Sequence, residues 1–254
     1  MLNFVQSFMI VLVTVAASLL FVVALNRFWP ADKRRAHNDL IGWQLSILGT
    51  TYAVILGFML YTVWTNFGEA DLNADVEANS LVNVYRLADG LPEQQSQQLK
   101  ALTRSYAREV IQDDWPQMAV DKVPQKSQRI NANMWKTLMS VKAASPTEST
   151  AEDHALSELG SLTEHRRTRL LQSASRLPAV LWCVLIIGGI VTIVSASMFG
   201  STNIGLHLLQ VFGFTLLISL VLVAIADIDR PFQGGVHVSS YAFQRAEQGM
   251  KEDQ

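Results

Sequence analysis

The chain has 254 residues, 50% of them hydrophobic and only 17% charged, with a formal net charge of −2. That balance is too apolar for an average water-soluble domain, and with no basic stripe carrying interleaved aromatics it gives no reason to expect nucleic acid as a partner. Cys183 is the single cysteine, so no intrachain disulfide can form.

Phe4 to Leu25 reads as a first membrane span. It lacks the cationic start of a signal peptide, its apolar part is too long for one, and no small-residue cleavage site follows, so it is expected to remain as a helix. Arg27 and Trp29 anchor its end at the interface. The loop that follows carries Lys33, Arg34 and Arg35 beside Asp32 and Asp39.

Ile41 to Trp64 contains no charged residue, about 36 Å of helix at a rise of about 1.5 Å per residue, enough to cross a bilayer core. Two rows stand out in it. Gly49, Ala53 and Gly57 are small residues four apart, a spacing that lets helices approach closely. Thr50, Val54 and Phe58 form a second row, either an apolar constriction that gates a pore by dewetting or a face toward lipid and other spans. No proline interrupts the run until Pro92, so the helix is expected to continue beyond the membrane. There Leu72, Val76, Leu81, Val84 and Ala88 make a drifting apolar side, while Glu69, Asp71, Asp75, Glu77, Asn79 and Asn83 make a polar one. This ladder suits the wall of an ion path, or equally a stalk packed on partner helices.

The region from 65 to 177 is expected to be helical throughout, with no strand pattern. One helix bearing Leu99, Leu102, Tyr106 and Val110 is predicted to stop near Asp113-Asp114-Trp115-Pro116. Another spans Ile130 to Val141. Residues 145–150, SPTEST, read as a loop whose Ser149 or Thr150 caps a helix running to Leu177. The third and fourth spans, Pro178 to Phe199 and Ile204 to Ala226, are joined by a short turn and form a hairpin, with Gly188, Gly189, Gly205 and Gly213 permitting close packing. Cys183 is expected to be a buried small hydrophobe, and His207 a hydrated histidine near the span's end. Asp227, Asp229, Arg230, Pro231 and Phe232 then form a structural turn, with Pro231 ending the span. The expected organisation is an all-α membrane protein: spans one and two in 1–64, a helical extramembrane region in 65–177, spans three and four in 178–226, and a tail in 227–254.

The five histidines never fall at i, i+4, and no Cys-x-x-Cys, His-Glu-x-x-His, phosphate loop or nucleophile elbow is present. The sequence therefore nominates no metal site, no cofactor and no enzyme.

Phe58 followed eleven residues later by Glu69-Ala70, then Leu81-Val82-Asn83, resembles the pattern around the second span of bestrophin channels. Asp229, Pro231 and Phe232 resemble the turn that follows the bestrophin fourth span, with Gly234 one place later, and the span order agrees over the whole length. More closely, the chain is similar to the bestrophin-like family of small bacterial membrane proteins. Departures stand beside these matches. Met59-Leu60 replaces the Arg-Asn usual after the phenylalanine in bacterial bestrophins, Trp64, Thr65, Asn66 and Phe67 replace a Tyr-x-Arg-Trp run, and the acidic calcium clasp of the animal channels has no counterpart.

The resemblance implies a homo-oligomer, expected to be a pentamer, set in membrane lipid and passing monovalent ions along an axis lined by span two. Cationic residues cluster both in the first loop and at Arg166, Arg167, Arg169 and Arg176, so the positive-inside rule alone leaves orientation open. The resemblance places both termini and residues 65–177 in the cytoplasm of a bacterial cell, with the spans in its inner membrane. Carboxylates along the ladder would favour cations. The rival expectation is a non-conducting scaffold or sensor whose helical extramembrane region binds a partner. A solute transporter is a third, without the broken-span repeats such proteins often show.

Overall fold

A computed structural model describes residues 4–253, all of whose regular structure is helical. Ten α-helices follow in order: α1 (Phe4–Phe28), α2 (Ala31–Arg35), α3 (Asn38–Leu87), α4 (Glu93–Glu109), α5 (Trp115–Met118), α6 (Lys126–Leu138), α7 (Pro146–Ala174), α8 (Ala179–Ser197), α9 (Ile204–Ile228) and α10 (Tyr241–Glu252). Within α1, α3, α8 and α9 lie four stretches long and apolar enough to cross a membrane. The chain separates into two compact units, one built from the residues up to Thr65 with Arg176–Asp229, the other from Asn66–Ser175 with the residues from Arg230 onward.

In the membrane unit α1 packs on α9 and α8, and α8 pairs with α9. The first part of α3 joins them through Tyr52. Its ring fills the space left by Gly188 and Gly189, where an added Cβ would stand 2.7 and 2.9 Å from Tyr52 atoms, and its hydroxyl donates to the Leu185 carbonyl at 2.8 Å. Where lipid gives no hydrophobic drive, such close backbone approach and an interhelical hydrogen bond are what hold spans together. Gly213 faces open space instead. Asn203 caps α9 by accepting the Leu206 N–H.

A buried arginine closes the other end of this unit. Arg34 is fully buried and donates to the Ser197 carbonyl at 3.0 Å, where the last turn of α8 leaves carbonyls without helical partners, and to Asn26 Oδ1. Gly200 makes this possible: a Cβ there would sit 2.6 Å from both the Ala31 oxygen and the Arg35 nitrogen. Those atoms are backbone and cannot swing aside. Gly200→Ala should therefore lower stability by about 1–3 kcal/mol, read as an earlier thermal transition in detergent.

In the extramembrane unit the later part of α3 buries Ala70, Ala74, Ala78, Leu81, Val84, Tyr85 and Ala88 against Leu99, Tyr106, Met134, Leu138, Leu159 and Leu162. A fully buried leucine in such a core contributes about 1.5–3 kcal/mol. The apolar side expected from the sequence holds for Leu81, Val84 and Ala88. It fails at Leu72, which is 64% exposed, because small alanines let the neighbouring helices sit one position further round.

Four other expectations differ from the structure. The helix beginning at Glu93 does not stop before Pro116 but passes through a π-helical turn, Val110–Asp114, into α5. The wider turn relieves the clash between a proline ring and the carbonyl four residues back, so the chain continues to Met118. The SPTEST segment is the start of α7 rather than a loop. Ser145 Oγ accepts the Glu148 N–H at 3.2 Å, Glu148 accepts the Ala144 N–H at 2.7 Å, and Pro146 occupies the first turn. The cap is Ser145, not Ser149 or Thr150. Cys183 is exposed rather than buried, since an apolar run reads alike whether it meets protein or hydrocarbon. His207 is 3% exposed with Nε2 3.3 Å from the Ser197 oxygen, so it packs inside the unit instead of sitting at a hydrated surface.

Candidate functional site

Within each unit, one side of α3 carries exposed residues. In the membrane unit this side presents Thr50, Val54 and Phe58, the last two 53% and 65% exposed, with Tyr61 and Trp64 following. The opposite side, through Tyr52, Leu56 and Val63, is packed against Leu185, Ile218 and Ile225. Helical periodicity makes this division: residues at i, i+4 and i+11 from Tyr52 face the bundle, so those shifted by two face away. Gly49 and Gly57 have no atom of the chain within 4 Å of an added Cβ, and Ala53 is exposed. Gly57 opens a shallow apolar groove of about 350 Å³ beside Leu60, Tyr61 and Trp64.

In the extramembrane unit the exposed side of α3 is mainly polar, with Leu72 also exposed. Glu69, Asp71, Asn79 and Asn83 are exposed, and Asp75 is half-buried. Among the described residues no cationic side chain lies within 4 Å of Glu69 or Asp71, whereas Asp75 pairs with Arg245 at 3.2 Å and Asn83 donates to Glu158 at 3.2 Å. Glu77 belongs elsewhere. It is fully buried on the packed side, so it is no part of the exposed ladder.

Glu77 instead opens a buried ionic cluster that ties five helical segments together. Arg169 of α7 donates through Nε and Nη2 to the two Glu77 oxygens at 2.7 and 3.0 Å, and through Nη2 to Asp114 of the π turn at 2.9 Å. Tyr106 of α4 donates to Glu77 at 2.7 Å. Ser127 donates to Asp114 at 2.8 Å and accepts from Arg166. The Arg169 guanidinium also lies 5.0 Å over the Trp115 ring. Burial opposes charge on Arg169, but Glu77, Tyr106 and Asp114 outweigh it and hold the guanidinium above its ordinary pKa. Burial pushes the Asp114 carboxyl up, against the pull of Arg169 and Ser127. Burial and the adjoining Glu77 carboxylate push the Tyr106 phenol well up, so it stays a donor. Sequence reading missed this cluster. Its signal was Glu77 lying among Ala70, Ala74, Ala78 and Leu81, since an acid on a buried helix face requires a partner.

The turn after α9 divides its residues between the two units. In the membrane unit Asp229 accepts the Leu177 N–H at 3.0 Å, and Asp227 lies in the last turn of α9. The helix ends at Ile228, and Pro231 follows outside it. In the other unit Phe232 is 3% exposed and meets Trp115 edge-on at 5.7 Å, and the Pro231 carbonyl accepts the Val238 N–H. Arg230 donates to Gln233, which in turn donates to the Met118 carbonyl and to Asp121, a non-glycine residue at φ 58°. Gln233, buried at 3%, was not singled out from the sequence.

A family model for the Bestrophin-like domain matches residues 12–243. The chain belongs to the Bestrophin-like family. Solved structures agree on the fold. A point variant of a bacterial bestrophin homologue from Klebsiella pneumoniae is 12% identical and superimposes with a TM-score of 0.73, covering 97% of this chain and 99% of that one. A second point variant of a bacterial bestrophin homologue from the same organism gives 11% identity, a TM-score of 0.72 and coverage of 97% and 98%. A structure described only as a membrane protein gives 10%, 0.70, 97% and 98%. No curated protein matches the sequence. The Bestrophin-like family membership and the four apolar stretches make this an integral membrane protein with the all-helical, four-span architecture expected from its sequence.

Proposed function

We propose that the protein is a homo-oligomeric ion channel, a pentamer of the bacterial inner membrane, with α3 around the axis and both termini and the extramembrane unit in the cytoplasm. The observation that carries this reading is the exposed side of α3, apolar at Val54 and Phe58 in the membrane unit and mainly polar from Glu69 to Asn83 in the other, with Leu72 exposed among them. Four spans in one subunit enclose no wet pore, whereas cyclic symmetry brings several copies of one helix to a common axis. Thr50, Val54 and Phe58 then form the constriction, and Gly49, Ala53 and Gly57, with free space beside them, receive a neighbouring subunit. The turn around Asp229, Pro231 and Phe232 is structural. Uncompensated Glu69 and Asp71 favour cations over anions.

The test is ion flux from liposomes holding the purified protein, its oligomeric state verified in the same membranes. Potassium flux is expected, and Asp71→Asn should weaken the preference for potassium over chloride. Folded oligomers that pass no ion would turn the assignment to a scaffold or sensor.

A further inference from the structure

Two charged residues of the extramembrane part of α3, Asp75 in the polar row and Arg86 in the helix's last turn, meet an opposite charge from one helix or its end. Asp75 Oδ1 lies 3.2 Å from Arg245 Nη2, and Arg86 Nε lies 3.7 Å from Asp253 Oδ2. Arg245 stands on α10 and Asp253 caps its C-terminal end. These pairs are not what holds α10 in place. Phe243, Ala246 and Met250 are buried, Phe243 packs on the Tyr106 and Trp115 rings, and the paired side chains are 44–66% exposed. Exposed ion pairs of this kind contribute little stability.

Their effect is on the field. A carboxylate alone attracts cations over roughly a Debye length, about 8–10 Å at ordinary salt. With a guanidinium at 3.2 Å it presents a dipole instead, and its pull falls off much faster. Arg245 also lies 5.1 Å over the Tyr241 ring of its own helix, which steadies it beside Asp75. Glu69 and Asp71, further toward the membrane end of α3, have no such cover.

We infer that α10 is a charge mask on the ion path, with Arg245 and Asp253 as specificity-determining residues that neutralise Asp75 and Arg86. The inference rests on the proposed channel and names what sets its selectivity. Asp75 contributes little to cation preference while Arg245 is in place, and Arg86 contributes little to anion attraction while Asp253 is.

Reversal potentials across a potassium chloride gradient test this, using the full-length oligomer in planar bilayers. Arg245→Gln uncovers Asp75 and should raise the potassium-to-chloride permeability ratio about tenfold, since one unit charge about 6 Å from an ion in water favours potassium and disfavours chloride about threefold each. Asp253→Asn uncovers Arg86 and should lower the ratio by a similar factor. Asp75→Asn combined with Arg245→Gln should return it to the wild-type value. The buried contacts of α10 are untouched, so the unfolding midpoints of these variants should match wild type. A loosened helix would move both single variants in one direction. Unchanged ratios, or shifts of the same sign, overturn the mask and leave the channel standing. No current from verified wild-type oligomers overturns the channel, and the mask with it.

Discussion

Arg169→Met lowers stability by about 3–5 kcal/mol, the largest effect expected of any single substitution in the extramembrane unit. The guanidinium and its partners Glu77 and Asp114 are all fully buried, so truncation leaves two carboxylates in a low-dielectric core with their charge uncompensated. Tyr106 and Ser127 continue to donate one hydrogen bond each, which does not replace a full positive charge. The cost should shrink in acid. Burial raises the Asp114 pKa above its ordinary 3.8, so its protonated form is the one the fold favours; that contribution is complete below the ordinary value and lost as pH rises through the raised one. In that acid window Asp114 protonates and part of the stranded charge disappears. Unfolding of the detergent-purified protein, followed by circular dichroism at neutral and acid pH, measures both effects. Arg108→Met is the control: its pair with Glu247 spans 3.7 Å with the arginine 57% exposed, and its loss should stay within about 0.5 kcal/mol. Equal losses in the two variants would show that the cluster does not hold the bundle together.

Phe58→Ala raises ion flux through reconstituted oligomers about tenfold under the channel reading. The side chain is 65% exposed, on the same side of α3 as Thr50 and Val54. Several phenyl rings around an axis exclude water from a narrow segment, and an ion crossing it must shed hydration with nothing to replace it. Methyl groups in their place widen the segment and let water remain; a tenfold gain requires the barrier to fall by only about 1.4 kcal/mol. Phe58 touches no buried cluster, so the variant should assemble as wild type does. Lower or unchanged flux from equally assembled variant protein would remove Phe58 from the constriction.

Much of the architecture was legible because membrane burial writes long runs. Twenty or so consecutive apolar residues have few alternatives to a spanning helix, and the unbroken stretch to Pro92 announced a helix that leaves the membrane. The row of Thr50, Val54 and Phe58 stands out in the sequence, but periodicity alone leaves open whether it faces an axis, other spans or lipid; the packing of Tyr52 on the other side comes only from the fold. What hydropathy cannot express is which apolar surface meets protein and which meets lipid, so Cys183 was assigned to a core and proved exposed. Local sterics at Pro116 predict a stop; only packing around Trp115 and Asp114 keeps the chain helical through a π turn.

The sequence by itself determined the class of the molecule, its four spans and its helical extramembrane region, since each rests on local periodicity and on the transfer of continuous segments out of water. Tertiary structure alone decided the partners of charge. Glu77 meets Arg169 across 92 positions and Asp75 meets Arg245 across 170. No local pattern encodes such pairings, because groups so far apart in sequence meet only when packed helices bring them to one place; for Glu77 and Arg169 the packing also removes the water between them.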